Sequence, residues 1–216
     1  MRLACRALLA VSVCLLVCPA GALAQPATLP GPFVLDARGA FSTVGRSEEL
    51  AAPRGLTSGE LPKKVLGLDV GAHFYPLRRK VTVGLGASLL MVGGTQTPGP
   101  PEEGAVDAPV TPGEFRVRAI VPQVSLNFGS GRGWSYLGGG LGFSQMKAGR
   151  AESDLEYSPQ LLTLNVGGGA RWFVSEHIAF NIEGRYYRLA AKDLEAGYVG
   201  NPVVTMFVLA AGLSFK

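Results

Sequence analysis

The chain has 216 residues, a formal net charge of +4 and 30 glycines, about twice the ordinary share of glycine. Two of the positive charges, Arg2 and Arg6, belong to an N-terminal targeting segment, and the remaining +2 (4 − 2) excludes the strongly basic footprint of a nucleic-acid-binding protein. The three cysteines, Cys5, Cys14 and Cys18, lie in the same segment, so a mature chain has no disulfide, thiolate metal site or cysteine nucleophile.

The first residues have the three parts of a secretory signal peptide. The basic residues come first, Ala7–Val17 forms an apolar run too short to span a bilayer, and Ala22-Leu23-Ala24 is an A-x-A cleavage site before Gln25. We therefore expect residues 1–24 to be a cleaved signal peptide and residues 25–216 to form one domain. Lipoprotein processing at Cys18 is the alternative, and a lipid adduct on Cys18 in a mass spectrum would identify it.

From Phe33 onward, strand-like segments are separated by gaps that alternate between long and short. The long gaps are Gly45–Pro62, Val92–Glu114, Lys147–Pro159 and Ala190–Pro202, and the short ones are Pro76–Arg79, Gly129–Gly133 and Val174–His177. Hairpins that are long at one end and tight at the other are typical of a membrane-spanning β-barrel. We expect Val92–Glu114, the longest and proline-rich gap, to be disordered or extended, not helical.

Eight segments alternate apolar and polar residues with a period close to 2, and each is long enough for a tilted transmembrane strand. They are Phe33–Thr43, Lys64–Tyr75, Lys80–Met91, Phe115–Phe128, Trp134–Met146, Gln160–Phe173, Ile178–Leu189 and Val203–Phe215. No apolar run of 18 residues follows the signal peptide, which excludes a helical span. The prediction is an all-β fold, a single eight-stranded antiparallel up-and-down transmembrane barrel. Pro122 cannot donate to a ladder, which predicts a bulge there or a strand that begins near Ile120.

The polar face of the segments combines glycine with a few charged residues. In a membrane barrel this face points inward and the apolar face meets lipid. Six charged residues are therefore expected to form a paired network that fills the lumen, with Glu183 between Arg171 and Arg185: Asp36, Arg38, Asp69, Arg171, Glu183 and Arg185. Aromatic residues near the short gaps predict an interfacial girdle of Phe74, Tyr75, Phe128, Trp134, Tyr136, Trp172, Phe173 and Phe215.

Three stretches carry a family resemblance: Val121–Gly129, the glycine-rich Trp134–Phe143, and the closing Gly212–Phe215. They resemble the small bacterial outer-membrane β-barrel domain family, akin to the eight-stranded OmpA membrane domain and OmpX-type barrels. The resemblance covers Phe33–Phe215 and implies an outer-membrane location and insertion by the barrel-assembly machinery. Such barrels often end in an aromatic residue, as Phe215 nearly does, although Lys216 follows it.

These features favour a non-enzymatic barrel of a Gram-negative-type outer membrane, with a structural or surface-contact role. We expect a monomer surrounded by outer-membrane lipid and lipopolysaccharide, with a surface ligand reached through the long loops, and neither a cofactor nor a metal site. The alternatives are a lipid-modifying enzyme, a small porin and a soluble lipocalin-like carrier. His73 and His177 are the only histidines, so a hydrolase site of the His/Ser/acid type would have to use one of them as its base.

The hairpin pattern also predicts the topology. Both termini and the short turns should face the periplasm, and the four long gaps should face outward. Tags at Gly104 and Gly149 should therefore be reached on intact cells, whereas a tag at Arg79 should not.

Overall fold

The computed structural model describes residues 31–78, 81–97, 111–129, 132–152, 157–195 and 197–216. Eight antiparallel strands pair in chain order, and β1 also pairs with β8, with Leu35 opposite Phe215, so that the sheet closes. The predicted eight-stranded up-and-down barrel is confirmed. Its strands are β1 Phe33–Val44, β2 Lys64–Arg78, β3 Val81–Gln96, β4 Gly113–Phe128, β5 Gly133–Arg150, β6 Leu161–Phe173, β7 Ile178–Leu189 and β8 Val204–Phe215.

The alternation of long and short connections is confirmed. Residues 45–63, 97–112, 151–160 and 190–203 connect strands at one end, here called the long-loop end, and 79–80, 129–132 and 174–177 connect them at the short-turn end. Strands β3 and β5 extend to Gln96 and Arg150, so part of each predicted gap at Val92–Glu114 and Lys147–Pro159 is strand. Gly104 and Arg79 lie outside the described residues, and Gly149 is buried at the end of β5.

Pro122 does not interrupt β4, and the predictions of a bulge or of a start near Ile120 are wrong. The register with β3 is continuous, with Pro122 opposite Ala87. On the β5 side the pairing resumes in the same register after a two-residue gap, at Gln123 opposite Gly140. The irregularity of the barrel lies instead in β2, where the register with β3 shifts between Phe74 and Leu77, around Pro76.

The outer wall of the barrel is apolar and the inner wall of its short-turn half is polar. The outward side chains include Leu66, Leu137 and Ile182, each more than half exposed, whereas the alternate residues are buried. This confirms the inside-out pattern predicted for a membrane barrel. Phe74, Phe128, Trp172 and Phe215 face outward as predicted, but Tyr75, Trp134 and Tyr136 do not, because they lie at inward positions of their strands and are buried in the interior.

The connection between β1 and β2, here called loop L1 (residues 45–63), contains a short helix, α1 (Glu48–Ala51), and a 3₁₀ turn over Ala52–Arg54. Ser47 caps α1 by accepting a hydrogen bond from the backbone N–H of Leu50 at 3.2 Å. No helix in the part of the chain that the structure describes is long and apolar enough to cross a bilayer.

Candidate functional site in the barrel interior

The interior has two layers of different chemistry. The short-turn half contains a network of buried charged residues, whereas the long-loop half is filled mainly by a cluster of buried apolar side chains. All six charged residues named from the sequence lie in the polar half and are at most 2 % exposed: Asp36, Arg38, Asp69, Arg171, Glu183 and Arg185. The candidate functional site is therefore an enclosed charged network beneath an apolar layer.

Arg38 lies at the centre of this network. One guanidinium nitrogen, Nη2, donates to Asp69 Oδ1 at 2.5 Å, and the other, Nη1, donates to Glu183 Oε2 at 3.0 Å. Glu183 also accepts from Nε of Arg185 at 2.6 Å and from Nη2 at 3.2 Å, so this arginine grips both carboxylate oxygens. Such two-point contacts between charged groups are among the stronger hydrogen bonds in proteins. The two contacts of Arg38 connect β1 to β2 and β7 through the lumen.

Asp36 forms the second part of the network. Arg171 donates to both of its carboxylate oxygens, at 2.7 and 3.2 Å, while Ser214 and Asn181 donate to Oδ1 at 2.5 and 3.0 Å. Arg38 lies 3.8 Å from Asp36 and joins the two parts. The polar half therefore contains three guanidinium groups and three carboxylates in mutual contact, and their formal charges cancel (3 − 3).

The expected position of Glu183 between Arg171 and Arg185 is half wrong. Arg185 does bind Glu183, but Arg171 binds Asp36 and the second partner of Glu183 is Arg38. The register of β6 and β7 explains the difference, since Arg171 stands opposite Asn181 and Glu183 stands opposite Gly169. Arg171 therefore lies closer to the short-turn end than Glu183 does, by one inward-facing pair of residues, and is at the level of Asp36.

Tyr136, which was predicted to belong to the interfacial girdle, is instead a central residue of the site. Its hydroxyl donates to Glu183 Oε2 at 2.5 Å, and Arg171 lies over its ring at 4.3 Å. On β5, Tyr136 occupies an even-numbered position like Gly138 and Gly140 of the polar face. This parity could have predicted that Tyr136 faces inward. Room for the ring comes from Gly169, where an added Cβ would lie 2.8 Å from the Tyr136 hydroxyl.

The same pairing of a glycine with a large neighbour recurs along the inner wall. An added Cβ at Gly84 would lie 2.7 Å from the Tyr75 ring, and one at Gly167 would lie 2.6 Å from the stem of Arg185. Glycine therefore provides space inside the barrel for large side chains of adjacent strands. This is the packing expected of an eight-stranded interior, which is just wide enough for side chains.

The two histidines lie in different environments. His73 is buried in the polar half, with Nε2 2.9 Å from the amide nitrogen of Gln123 and Nδ1 3.3 Å from Asp36. His177 is exposed in the turn between β6 and β7, where its carbonyl accepts from the N–H of Lys216. No group of three or more potential metal ligands occurs among the described residues.

The apolar half of the interior is covered by loop L1. Its apolar residues Leu50, Ala51, Leu56 and Leu61 are at most 5 % exposed and belong to the same cluster as inward residues of the wall, such as Leu90 and Phe115. The alternation of strands and gaps predicts this segment only as a long gap between strands. Two features of the sequence could have predicted a helix with a buried side in this loop: the helix start at Ser47-Glu48-Glu49 and the leucines that follow it.

Two arginines hold loop L1 against its neighbours. Arg54 donates to the carbonyl of Leu50 within the loop and to the carbonyl of Gly200 in the last long connection, each at 2.7 Å. Arg150, at the end of β5, donates to the carbonyl of Gly55 at 3.1 Å and pairs with Glu60 at 3.4 Å. Loop L1 is thereby fastened on two sides over the open end of the apolar layer.

Comparison with solved structures identifies the fold. Neisserial surface protein A superposes with a TM-score of 0.58 at 17 % identity, over 89 % of this chain and 99 % of that one. Two further similar structures are Ail, the attachment invasion locus protein of Yersinia pestis (TM-score 0.46, 16 % identity, 85 % and 97 % covered), and OprG from Pseudomonas aeruginosa (0.46, 13 %, 86 % and 95 %). No protein-family model and no curated protein matches the sequence. The closed sheet, its hairpin pattern and its likeness to the Neisserial protein show that this chain has the fold of the small eight-stranded outer-membrane β-barrels.

Proposed function

We propose that the chain is a non-enzymatic integral protein of a Gram-negative-type outer membrane, exported through a cleaved signal peptide. The observation that carries this proposal is the inversion of the two walls: large apolar side chains cover the outside while the charges lie within. An exposed apolar surface of this extent is unstable in water but is required of a barrel that contacts lipid. Its role is structural or is exerted through the surface loops.

The filled interior supports a plugged barrel over a small porin. In the polar half, three arginines and three carboxylates occupy the space between the strands, and in the apolar half loop L1 packs into the opening. Buried charges are tolerated when each is paired and hydrogen-bonded, as these are. The network therefore connects opposite parts of the wall and stiffens it, and ions do not pass through it.

The environment of His73 disfavours the lipid-modifying enzyme. A general base in a hydroxyl-activating site needs a free ring nitrogen directed at the nucleophile. Nε2 of His73 faces the Gln123 amide, and Nδ1 faces Asp36. His73 is also buried in the half near the short turns, which in the proposed orientation is far from the outer leaflet.

Cell fractionation tests the proposed location. With the full chain expressed in a Gram-negative host, we expect the protein in the outer-membrane fraction and a folded band that shifts on heating in a denaturing gel. Recovery from the soluble periplasm without detergent would overturn the proposal and favour the lipocalin-like carrier.

The proposed orientation can be tested with single cysteines, because the mature chain has none of its own. Asp193 is exposed in the last long connection and Glu176 in a short turn. We expect a membrane-impermeant maleimide to label Asp193→Cys on intact cells but to label Glu176→Cys only after the outer membrane is opened. Labelling of Glu176→Cys on intact cells would invert the orientation.

The proposal also gives the partners of the barrel. The barrel-assembly machinery inserts it, outer-membrane lipid and lipopolysaccharide surround it as a monomer, and the long loops are available to a surface ligand. Loop L1 is partly committed to covering the lumen. Contacts with a surface ligand therefore fall on its exposed side, which includes Glu49 and Thr57, and on the other long connections.

A further inference from the structure

The outward face of the barrel changes from apolar to basic at the long-loop end of β4 and β5. Ile120 is 57 % exposed on β4, and the next two outward positions toward the loop are Arg118 and Arg116. On β5, Phe143 is followed in the same way by Gln145 and then by Lys147, which stands opposite Arg116. Three cations thus lie on one hairpin, just above the apolar wall.

A groove of about 420 Å³ lies beside these cations on the outside of the barrel. Its lining includes apolar Leu66 and Met91, which are 67 % and 39 % exposed, together with both arginines. The groove exists because Gly93 stands opposite Arg116: an added Cβ there would lie 3.1 Å from Arg116 Cγ, so the arginine stem crosses the strand at a position without a side chain. The groove therefore combines an apolar floor with a cationic edge.

The cationic edge is only partly neutralised by its own carboxylate. Glu114 contacts Arg116 and lies 3.9 Å from Lys147. Arg118 lies over the ring of Tyr157 at 4.6 Å, which orients its guanidinium group without neutralising it. Among the residues that the structure describes here, three cations against one carboxylate leave an excess of two positive charges (3 − 1) at the edge of an apolar groove.

We propose that this groove binds one phosphorylated acyl lipid of the outer leaflet, with an acyl chain on Leu66 and Met91 and a phosphate at Arg116 and Arg118. The inference rests on the proposed outer-membrane function, which places this end of the barrel in the outer leaflet. Guanidinium groups bind phosphate oxygens through two parallel hydrogen bonds, which makes arginine well suited to a phosphate site. The apolar floor distinguishes a lipid from free phosphate, because phosphate alone gains nothing from Leu66 and Met91.

The test measures binding of purified lipopolysaccharide to the full folded barrel in a neutral detergent, with the chain carrying Arg116→Gln and Arg118→Gln as the variant. Each hydrogen-bonded contact with the phosphate contributes about 1 kcal/mol, so loss of two is expected to weaken binding about 30-fold. Arg188→Gln is the matched control. Arg188 is exposed near the long-loop end of β7, away from the groove, and its loss should change the affinity less than twofold.

Two further probes separate the sources of phosphate. Lipopolysaccharide stripped of its phosphates should bind as weakly as the double variant does to the intact lipid, and inorganic phosphate should compete only at far higher concentration. Equal binding by the double variant, equal loss in Arg188→Gln, or equal competition by inorganic phosphate would each overturn the inference. A heat-modifiable barrel in the outer membrane that binds no lipopolysaccharide would refute this site alone, whereas a soluble protein would refute the proposed function.

Discussion

Replacing Glu183 with alanine is expected to destabilise the barrel strongly. Glu183 accepts from Arg38, Arg185 and Tyr136, so Glu183→Ala leaves two buried guanidinium groups without this counterion. Breaking a buried pair by removing one partner costs on the order of 3–5 kcal/mol. We expect the temperature at which the folded gel band disappears to fall, and the midpoint of urea unfolding in detergent to fall with it.

The matched control is Glu195→Ala. Glu195 pairs with Lys192, but its side chain is 49 % exposed in the last long connection, and pairs of this kind contribute less than about 1 kcal/mol. Unchanged melting of Glu183→Ala would contradict the plugged interior. A change in ion conductance without a change in stability would instead return the network to a role in transport.

Replacing Leu50 with alanine is expected to release loop L1 from the barrel opening. Leu50 is 1 % exposed in the apolar layer, and deletion of a buried leucine side chain costs about 2–5 kcal/mol. The strands do not depend on this contact, so the cost should appear as undocking of the loop, with the barrel still folded. Trypsin should then cleave after Arg54, whose bonds to Leu50 and Gly200 otherwise hold it in place.

Leu194→Ala is the control for this experiment. Leu194 is 77 % exposed in another long connection, so its removal should change the stability by no more than about 0.5 kcal/mol. Faster cleavage at Arg54 in Leu50→Ala alone is the expected result. Equal cleavage of all three proteins would mean that loop L1 does not close the lumen.

The strands and their faces could be predicted because a period of 2 leaves only two choices per strand. Once Asp69 is assigned to the inside, Leu68 and Val70 must face outward, as they do. The ends were less certain, because the alternation weakens toward the long-loop end, where Leu89–Val92 is apolar on both faces. Sequence patterning therefore identified the barrel but shortened β3 and β5.

The partners within the lumen could not be predicted with the same success. Which charges meet depends on the stagger between strands, and a two-residue difference in level separates Arg171 from Glu183. The role of loop L1 was missed for another reason. Its leucines have no strand period, and only the closed barrel presents the apolar opening that they fill.

The contacts of Asp36 also constrain the order of folding. Its partners Arg171, on β6, and Ser214, on the last strand, are 135 and 178 residues away in the chain. The carboxylate therefore stays without either partner until the last strand has reached the first. Contacts of such high sequence separation are associated with slow folding. The two charged residues of β1, Asp36 and Arg38, must therefore stay hydrated until β1 pairs with β8. Closure of the seam between these strands and removal of water from the lumen are then one event.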